Sequence, residues 1–234
     1  MNKVILYLIP APLSNDNINK WINLYNLDII KKLNIFIVEE LKTAYRILKN
    51  YGYDNLDKAE FYILNEHSNI YDIEKCFKPL LENNNVGLIS EVGMPCVADP
   101  GNIIVAMAHK HEIKVTPLPG SSSLFMALAA SGLNGQNFTF HGYIPIEKNA
   151  RKKFLCQIEL TAIKTKQSQI FIETPYRNQS LLDTILSICK PSTLLCIAIN
   201  IGSMSEFIKT KSINEWKKLN IRISKEPAVF ILGT

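Results

Sequence analysis

Val86-Gly-Leu-Ile-Ser-Glu-Val-Gly-Met-Pro-Cys-Val-Ala-Asp-Pro-Gly101 decides the fold of this chain. Val86 to Ile89 reads as a buried strand, and Gly93, Pro95, Pro100 and Gly101 then break the chain into a long loop. Open α/β sheets bind ligands just beyond the carboxyl ends of such strands. A second unit of the same kind follows in Lys114-Val-Thr-Pro-Leu-Pro-Gly-Ser-Ser-Ser123, a short strand, a Pro-Gly turn and a serine run that opens an Ala-rich helix. Two such loops in succession predict a pocket.

The same reading extends in both directions. Val4 to Ile9 is a buried first strand closed by Pro10-Ala-Pro12, followed by a helix around Ile18 to Tyr25. Ile35 to Val38 and Phe61 to Leu64 are further strands. The helix after Glu39-Glu40 has Leu41, Ala44, Tyr45 and Leu48 at a 3.6 period, and Ile70 to Leu81 is helical. Ile103 to His109 and Ser122 to Ala130 complete an alternation of strands and helices, the signature of a parallel sheet. Beyond Gly135 the texture changes. Phe138 to Tyr143 is aromatic and alternating, and Glu147 to Lys153 reads as a polar, exposed crossing. Gln169–Ile172, Leu194–Ile199, Phe207–Thr210 and Ala228–Leu232 supply four more strands with one or two helices among them. The fold expected is therefore two-domain α/β. Residues 1–117 form an N-terminal parallel-sheet domain, and residues 118–234 a C-terminal mixed-sheet domain.

Composition narrows the function. With 234 residues, 47% hydrophobic, the chain can build a real core. A net charge of +5 permits a polyanionic partner without demanding one. The five cysteines are scattered with no C-x-x-C pair, which argues against zinc or a disulfide framework and for reduced thiols in a cytosol. The apolar run at Val4 is too short for a signal core or a membrane span. No Walker loop and no G-x-G-x-x-G follow the first strand, so nicotinamide and nucleotide-triphosphatase chemistry lose their main support. His109 and His111 lack a nearby carboxylate or cysteine cluster, and no metal site is expected.

Taken singly, the loops read as turns and the serines as helix caps. In order they carry more. Ser90-Glu-Val-Gly-Met-Pro95, Asp99-Pro-Gly101, Pro117-Leu-Pro-Gly-Ser-Ser122, Phe140-His-Gly-Tyr-Ile-Pro145 and Glu173-Thr-Pro-Tyr-Arg177 resemble the tetrapyrrole methylase family of S-adenosylmethionine-dependent methyltransferases. Leu6-Tyr-Leu-Ile-Pro-Ala-Pro12, Glu39-Glu40 and Glu66-His67 resemble the branch that 2′-O-methylates a cytidine ribose of small-subunit ribosomal RNA, in a short form without its C-terminal helical extension. The chain departs from that branch at Glu91 and Met94, at Leu13-Ser-Asn15 and at Asn200 to Met204.

The resemblance implies a tetrapyrrole methylase-like fold with the ligand cleft between the domains and S-adenosylmethionine as methyl donor. It assigns to the donor Pro10, Pro12, Glu91, Gly93, Met94, Pro95, Gly120, Ser122, Ser123, Glu173, Thr174, Pro175, Ala198 and Pro227. Glu39, His67, His141 and Arg177 are candidates for a catalytic base, each with a structural role as the competing reading. Lys148, Arg151, Lys152 and Lys153 are candidates for phosphate contacts, against a solvated helix face. The partner expected is ribosomal RNA or the small subunit, in the cytoplasm, with no membrane and with the chain as a homodimer. The alternatives are a tetrapyrrole C-methyltransferase and a non-catalytic RNA-binding relative.

Overall fold

A computed structural model describes residues 4–16, 18–223 and 225–234. The chain divides into two compact units, Met1–Ser122 and Ser123–Thr234. Residues 118–122 lie with the first unit: Leu118 is buried in its core, and the Asn26 amide donates to the Pro119 carbonyl.

The first unit contains β1 (Ile5–Ile9), α1 (Leu24–Ile30), β2 (Ile35–Val38), α2 (Leu41–Asn50), β3 (Glu60–Ile63), α3 (Ile70–Leu81), β4 (Val86–Ile89), α4 (Asn102–Lys110) and β5 (Lys114–Pro117). Its five strands pair in parallel in the order β3-β2-β4-β1-β5. Successive side chains of a strand leave opposite faces, and both faces of this sheet are buried. Phe36 and Val38 enter one core with Ile30, Ala44, Ile47 and Leu48 of α1 and α2. Ile37 enters the other with Phe77, Leu80, Ile104 and Ala108 of α3 and α4. The first helix, expected around Ile18 to Tyr25, begins later. Ile18–Lys20 is one 3-10 turn, and α1 starts only where the Asn23 side chain accepts the Tyr25 N–H at 2.9 Å.

The second unit contains α5 (Ser123–Ser131), β6 (Phe138–Tyr143), α6 (Lys148–Thr165), β7 (Ser168–Glu173), α7 (Asn178–Ile188), β8 (Leu194–Ile199), β9 (Phe207–Ser212), α8 (Ile213–Leu219) and β10 (Ala228–Gly233). The sheet order is β6-β7-β10-β8-β9, mixed as expected, with only β6 and β7 parallel. Its core centres on stacked Phe171 and Phe230 and on Trp216, whose indole N–H donates to the Leu195 carbonyl at 2.8 Å.

The segment 147–153, expected as an exposed crossing, instead opens the 18-residue helix α6. Its buried positions are Arg151, Leu155, Ile158, Glu159 and Ala162, a helical spacing hidden by the two charges. Glu159 is satisfied inside the protein by the Lys190 N–H at 2.7 Å and the Thr193 hydroxyl at 2.5 Å. Glu147 caps the helix by accepting the Asn149 and Ala150 N–H groups, which lowers its pKa.

Candidate functional site

Parallel strands deliver their loops to one end of a sheet, and the first unit knits three of them together there. Ala11, after β1, exchanges both backbone hydrogen bonds with Gly93, after β4, at 2.8 and 3.1 Å. Ser90 Oγ donates to the Gly93 carbonyl at 2.8 Å, and Gly93 adopts φ +73°, a left-handed conformation that costs glycine little. The loop after β5 joins them where Leu118 N–H meets the Leu8 carbonyl and Gly120 lies against the Pro10 ring. Pro10, Pro12, Glu91, Gly93, Met94, Pro95, Gly120 and Ser122 are thus neighbours at the carboxyl end of the sheet, the ligand-binding end of an open α/β fold.

The loop 93–101 holds two non-glycine residues in the left-handed region, Cys96 at φ +67° and Ala98 at +59°. Such conformations persist where surrounding contacts enforce them and cluster at ligand sites. Here Asp99 Oδ1 accepts the Gly101 N–H at 2.8 Å and turns the chain into α4. Burial, with Asp99 beside it, pushes the Cys96 thiol up to about 12, so it stays protonated.

Glu39 follows β2 and faces this loop. Burial, followed by a hydrogen bond to Asp99 and repulsion from it, raises the Glu39 pKa to about 8. The Glu91 N–H, 3.4 Å from Glu39 Oε1, pulls the other way. Asp99 Oδ2 is buried and accepts from no ordinary donor. A proton on Glu39 would give this carboxyl pair the donor that Asp99 Oδ2 lacks, in addition to the larger effect of burial.

The other three base candidates stand elsewhere. His67 is fully solvated in the turn after β3, 3.5 Å from Glu66. His141, on β6, pairs through Nε2 with Gln169 Oε1 at 2.8 Å and packs edge-on to Phe154. Arg177 is committed to the fully buried Glu173 carboxylate through Nε at 2.8 Å and Nη2 at 2.5 Å.

In the second unit the structure brings together the residues expected from three different strands. Ala228, at the start of β10, pairs with Glu173 at the end of β7 and with Ile199 at the end of β8. Asn200 N–H donates to the Pro227 carbonyl at 3.1 Å. Glu173, Thr174, Pro175, Ala198 and Pro227 therefore share one end of this sheet, while Ser123 opens α5. Glu173 Oε2 and Asn178 Oδ1 are buried there without donors.

The basic group on α6 splits. Lys148 and Lys153 are exposed and Lys152 is half-buried. Arg151 is buried, with Nη2 3.3 Å from Ser180 Oγ, and belongs to the packed side of the helix. Two residues not singled out from sequence also matter, Asn26 and Tyr51. Asp99, quoted there only within the Asp99-Pro-Gly101 motif, gains a role as the partner of Glu39. Asn26 had a legible signal, since it sits one helical turn before buried Ile30 on the same face. Among the described residues no group of three or more His, Cys, Asp or Glu could hold a metal ion, and no helix is long and apolar enough to cross a membrane.

This loop architecture has known relatives. Residues 6–211 match the family model of the Tetrapyrrole (Corrin/Porphyrin) Methylases, and the chain belongs to that family of S-adenosylmethionine-dependent methyltransferases. Among individual proteins it is 31% identical to the Ribosomal RNA small subunit methyltransferase I of Buchnera aphidicola subsp. Baizongia pistaciae, over 98% of this chain and 76% of the relative. It is 30% identical to the protein of the same name from Vibrio cholerae serotype O1, over 79% of this chain. The match spans 60% of the length of that relative. The crystal structure of the methyltransferase CobJ superposes with a TM-score of 0.65 over 100% of this chain and 95% of that one, at 13% identity, a likeness of fold.

Proposed function

We propose that this chain transfers a methyl group from S-adenosylmethionine to a ribose 2′-hydroxyl of small-subunit ribosomal RNA. The observation that carries the reading is the similarity to an rRNA methyltransferase along nearly the whole chain. The three interlocked loops at the ligand end of the first sheet support it.

The residues fit the donor. Gly120 is exposed at the loop surface, and its missing Cβ lets the loop after β5 close onto Pro10, while buried Gly93 ties the loop after β4 to Ala11. In the first unit Pro10, Pro12, Glu91, Gly93, Met94, Pro95, Gly120 and Ser122 would hold it. In the second we assign to it Ser123, Glu173, Thr174, Pro175, Ala198 and Pro227. When bound, the donor supplies an electrophilic sulfonium methyl. The protein's task is to hold the acceptor oxygen in line with it, a positioning effect worth about 7–11 kcal/mol in favourable cases. Glu39 is the base candidate that stands among the first unit's loops, and its affinity places proton exchange near pH 8. Lys148, Lys152 and Lys153 are assigned to acceptor phosphates. The working form in this reading is a cytoplasmic homodimer.

Mapping 2′-O-methylation across ribosomal RNA, with and without the gene, tests the reading. Loss of one ribose methylation in the small-subunit RNA is expected on deletion, with restoration by the gene in trans. An unchanged map would remove ribosomal RNA as the acceptor.

A further inference from the structure

Two buried polar side chains brace the loops just described. Asn26, on α1, is wholly buried, and its Nδ2 donates to the Pro119 carbonyl at 2.8 Å across 93 residues of sequence. Tyr51, at the C-cap of α2, is 3% exposed, and its hydroxyl donates to the Pro10 carbonyl at 2.9 Å. The two side chains also meet each other, the Asn26 amide lying beside the Tyr51 hydroxyl. One polar cluster therefore reaches both the loop after β1 and the loop after β5.

Fixing a carbonyl fixes the whole peptide plane, because in a trans peptide the N–H points opposite to the C=O. With the Pro10 carbonyl turned in to Tyr51, the Ala11 N–H is aimed the other way, where it donates to Gly93 at 2.8 Å. With the Pro119 carbonyl turned in to Asn26, the Gly120 N–H is likewise aimed outward. There it has no partner among the described residues, on a residue that is exposed. A Pro-Gly peptide is free to flip, since glycine accepts either sign of φ at the third position of a turn. The Asn26 amide removes that freedom, because the flipped peptide would leave the buried amide without its acceptor.

We propose that Asn26 and Tyr51 are positioning residues of the donor site, holding the Pro119–Gly120 and Pro10–Ala11 peptides so that the Gly120 N–H faces out as a hydrogen-bond donor to an oxygen of the methyl donor. The inference rests on the donor reading given above.

Calorimetric titration of S-adenosylhomocysteine into the whole chain tests it, using wild type, Asn26→Ala, Tyr51→Phe and, as a control, Ile185→Val in the second unit's core. Asn26→Ala should weaken binding about tenfold, the upper range of one hydrogen bond, and Tyr51→Phe by a smaller factor. Ile185→Val should lower the melting temperature and leave affinity unchanged. In turnover, the donor KM should rise in the first two variants while the acceptor KM stays. If Asn26→Ala fails to fold, Tyr51→Phe, which keeps the ring packing, decides alone. Wild-type affinity in the folded variants overturns the positioning role and leaves the donor reading intact. So does an Ile185→Val loss of affinity matching theirs for the same loss of melting temperature. A wild type that binds no S-adenosylhomocysteine overturns the donor reading, and this inference with it.

Discussion

Gly120 and Pro10 touch so closely that no side chain fits between them. A Cβ on Gly120 would lie 2.1 Å from Pro10 Cγ and 2.2 Å from Pro10 Cβ, where real Cβ atoms are not found. The glycine is thus required by a neighbouring loop before any ligand is considered. Valine at this position would strike Pro10 first, so its effect on a ligand would be indirect.

Gly120→Ala should cost about 1–3 kcal/mol, the usual range for an overpacked site. Pro10→Gly in the same chain removes the atoms it strikes. The double variant should therefore lose less stability than the two single changes added together, with a coupling of about 0.5–3 kcal/mol. Urea unfolding of the four proteins measures this. Strict additivity would mean that the two loops relax apart without strain.

Glu39 makes stability depend on pH in a stated direction. Its folded pKa of about 8 lies above the ordinary 4.5, so between those values the folded protein keeps a proton that the unfolded chain releases. Its contribution is complete below pH 4.5 and is lost as pH rises through about 8. Glu39→Gln keeps a neutral donor beside Asp99. Melting temperatures at about pH 5, 7 and 9 should fall less steeply for the variant, which should be the more stable protein at the highest pH. Parallel curves would refute the shared proton.

Arg177→Ala should be among the most damaging surface-proximal changes. It leaves the fully buried Glu173 carboxylate without its cation, a loss of about 3–5 kcal/mol in comparable buried pairs. Replacing both with Gln and Met should recover part of that loss. Thermal unfolding of the single and double variants distinguishes this from a solvated pair, for which the single change would cost under about 1 kcal/mol.

The basic residues of α6 should separate by function. Lys148→Ala and Lys153→Ala should each reduce the salt dependence of RNA binding by about 0.7 to 0.9 in log–log slope if each holds one phosphate. Arg151→Met should leave that slope unchanged, because Arg151 faces the interior with its Nε unpartnered. Filter binding across a salt series reads all three. Equal slopes for wild type and both lysine variants would place the RNA elsewhere.

Much of this was legible in the sequence, for physical reasons. Strands β2, β4, β5, β6 and β8 stand where the sequence predicts, because short runs bounded by polar, Gly or Pro residues leave few alternatives. The cluster of loops after β1, β4 and β5 follows from parallel topology alone. Helix α6 was hidden because Arg151 and Glu159 occupy two of its buried positions, and only tertiary partners such as Thr193 make that tolerable. The Glu39–Asp99 pair was hidden because 60 residues separate its members, although both belong to the motifs that mark the loops. Tyr51 was hidden because it bonds a backbone carbonyl, which leaves no side-chain partner to be found in the sequence. The helical phase of Asn26 with Ile30 shows its burial but not its partner, the Pro119 carbonyl.

Methyl transfer itself is the most direct test. The purified protein is incubated with S-adenosylmethionine labelled in its methyl group and with small ribosomal subunits from cells lacking the gene. The RNA is then digested to nucleosides and separated. Label is expected in a single 2′-O-methylated nucleoside of the small-subunit RNA. Label in a base, or none in the RNA while a tetrapyrrole offered in its place is methylated, would contradict the account.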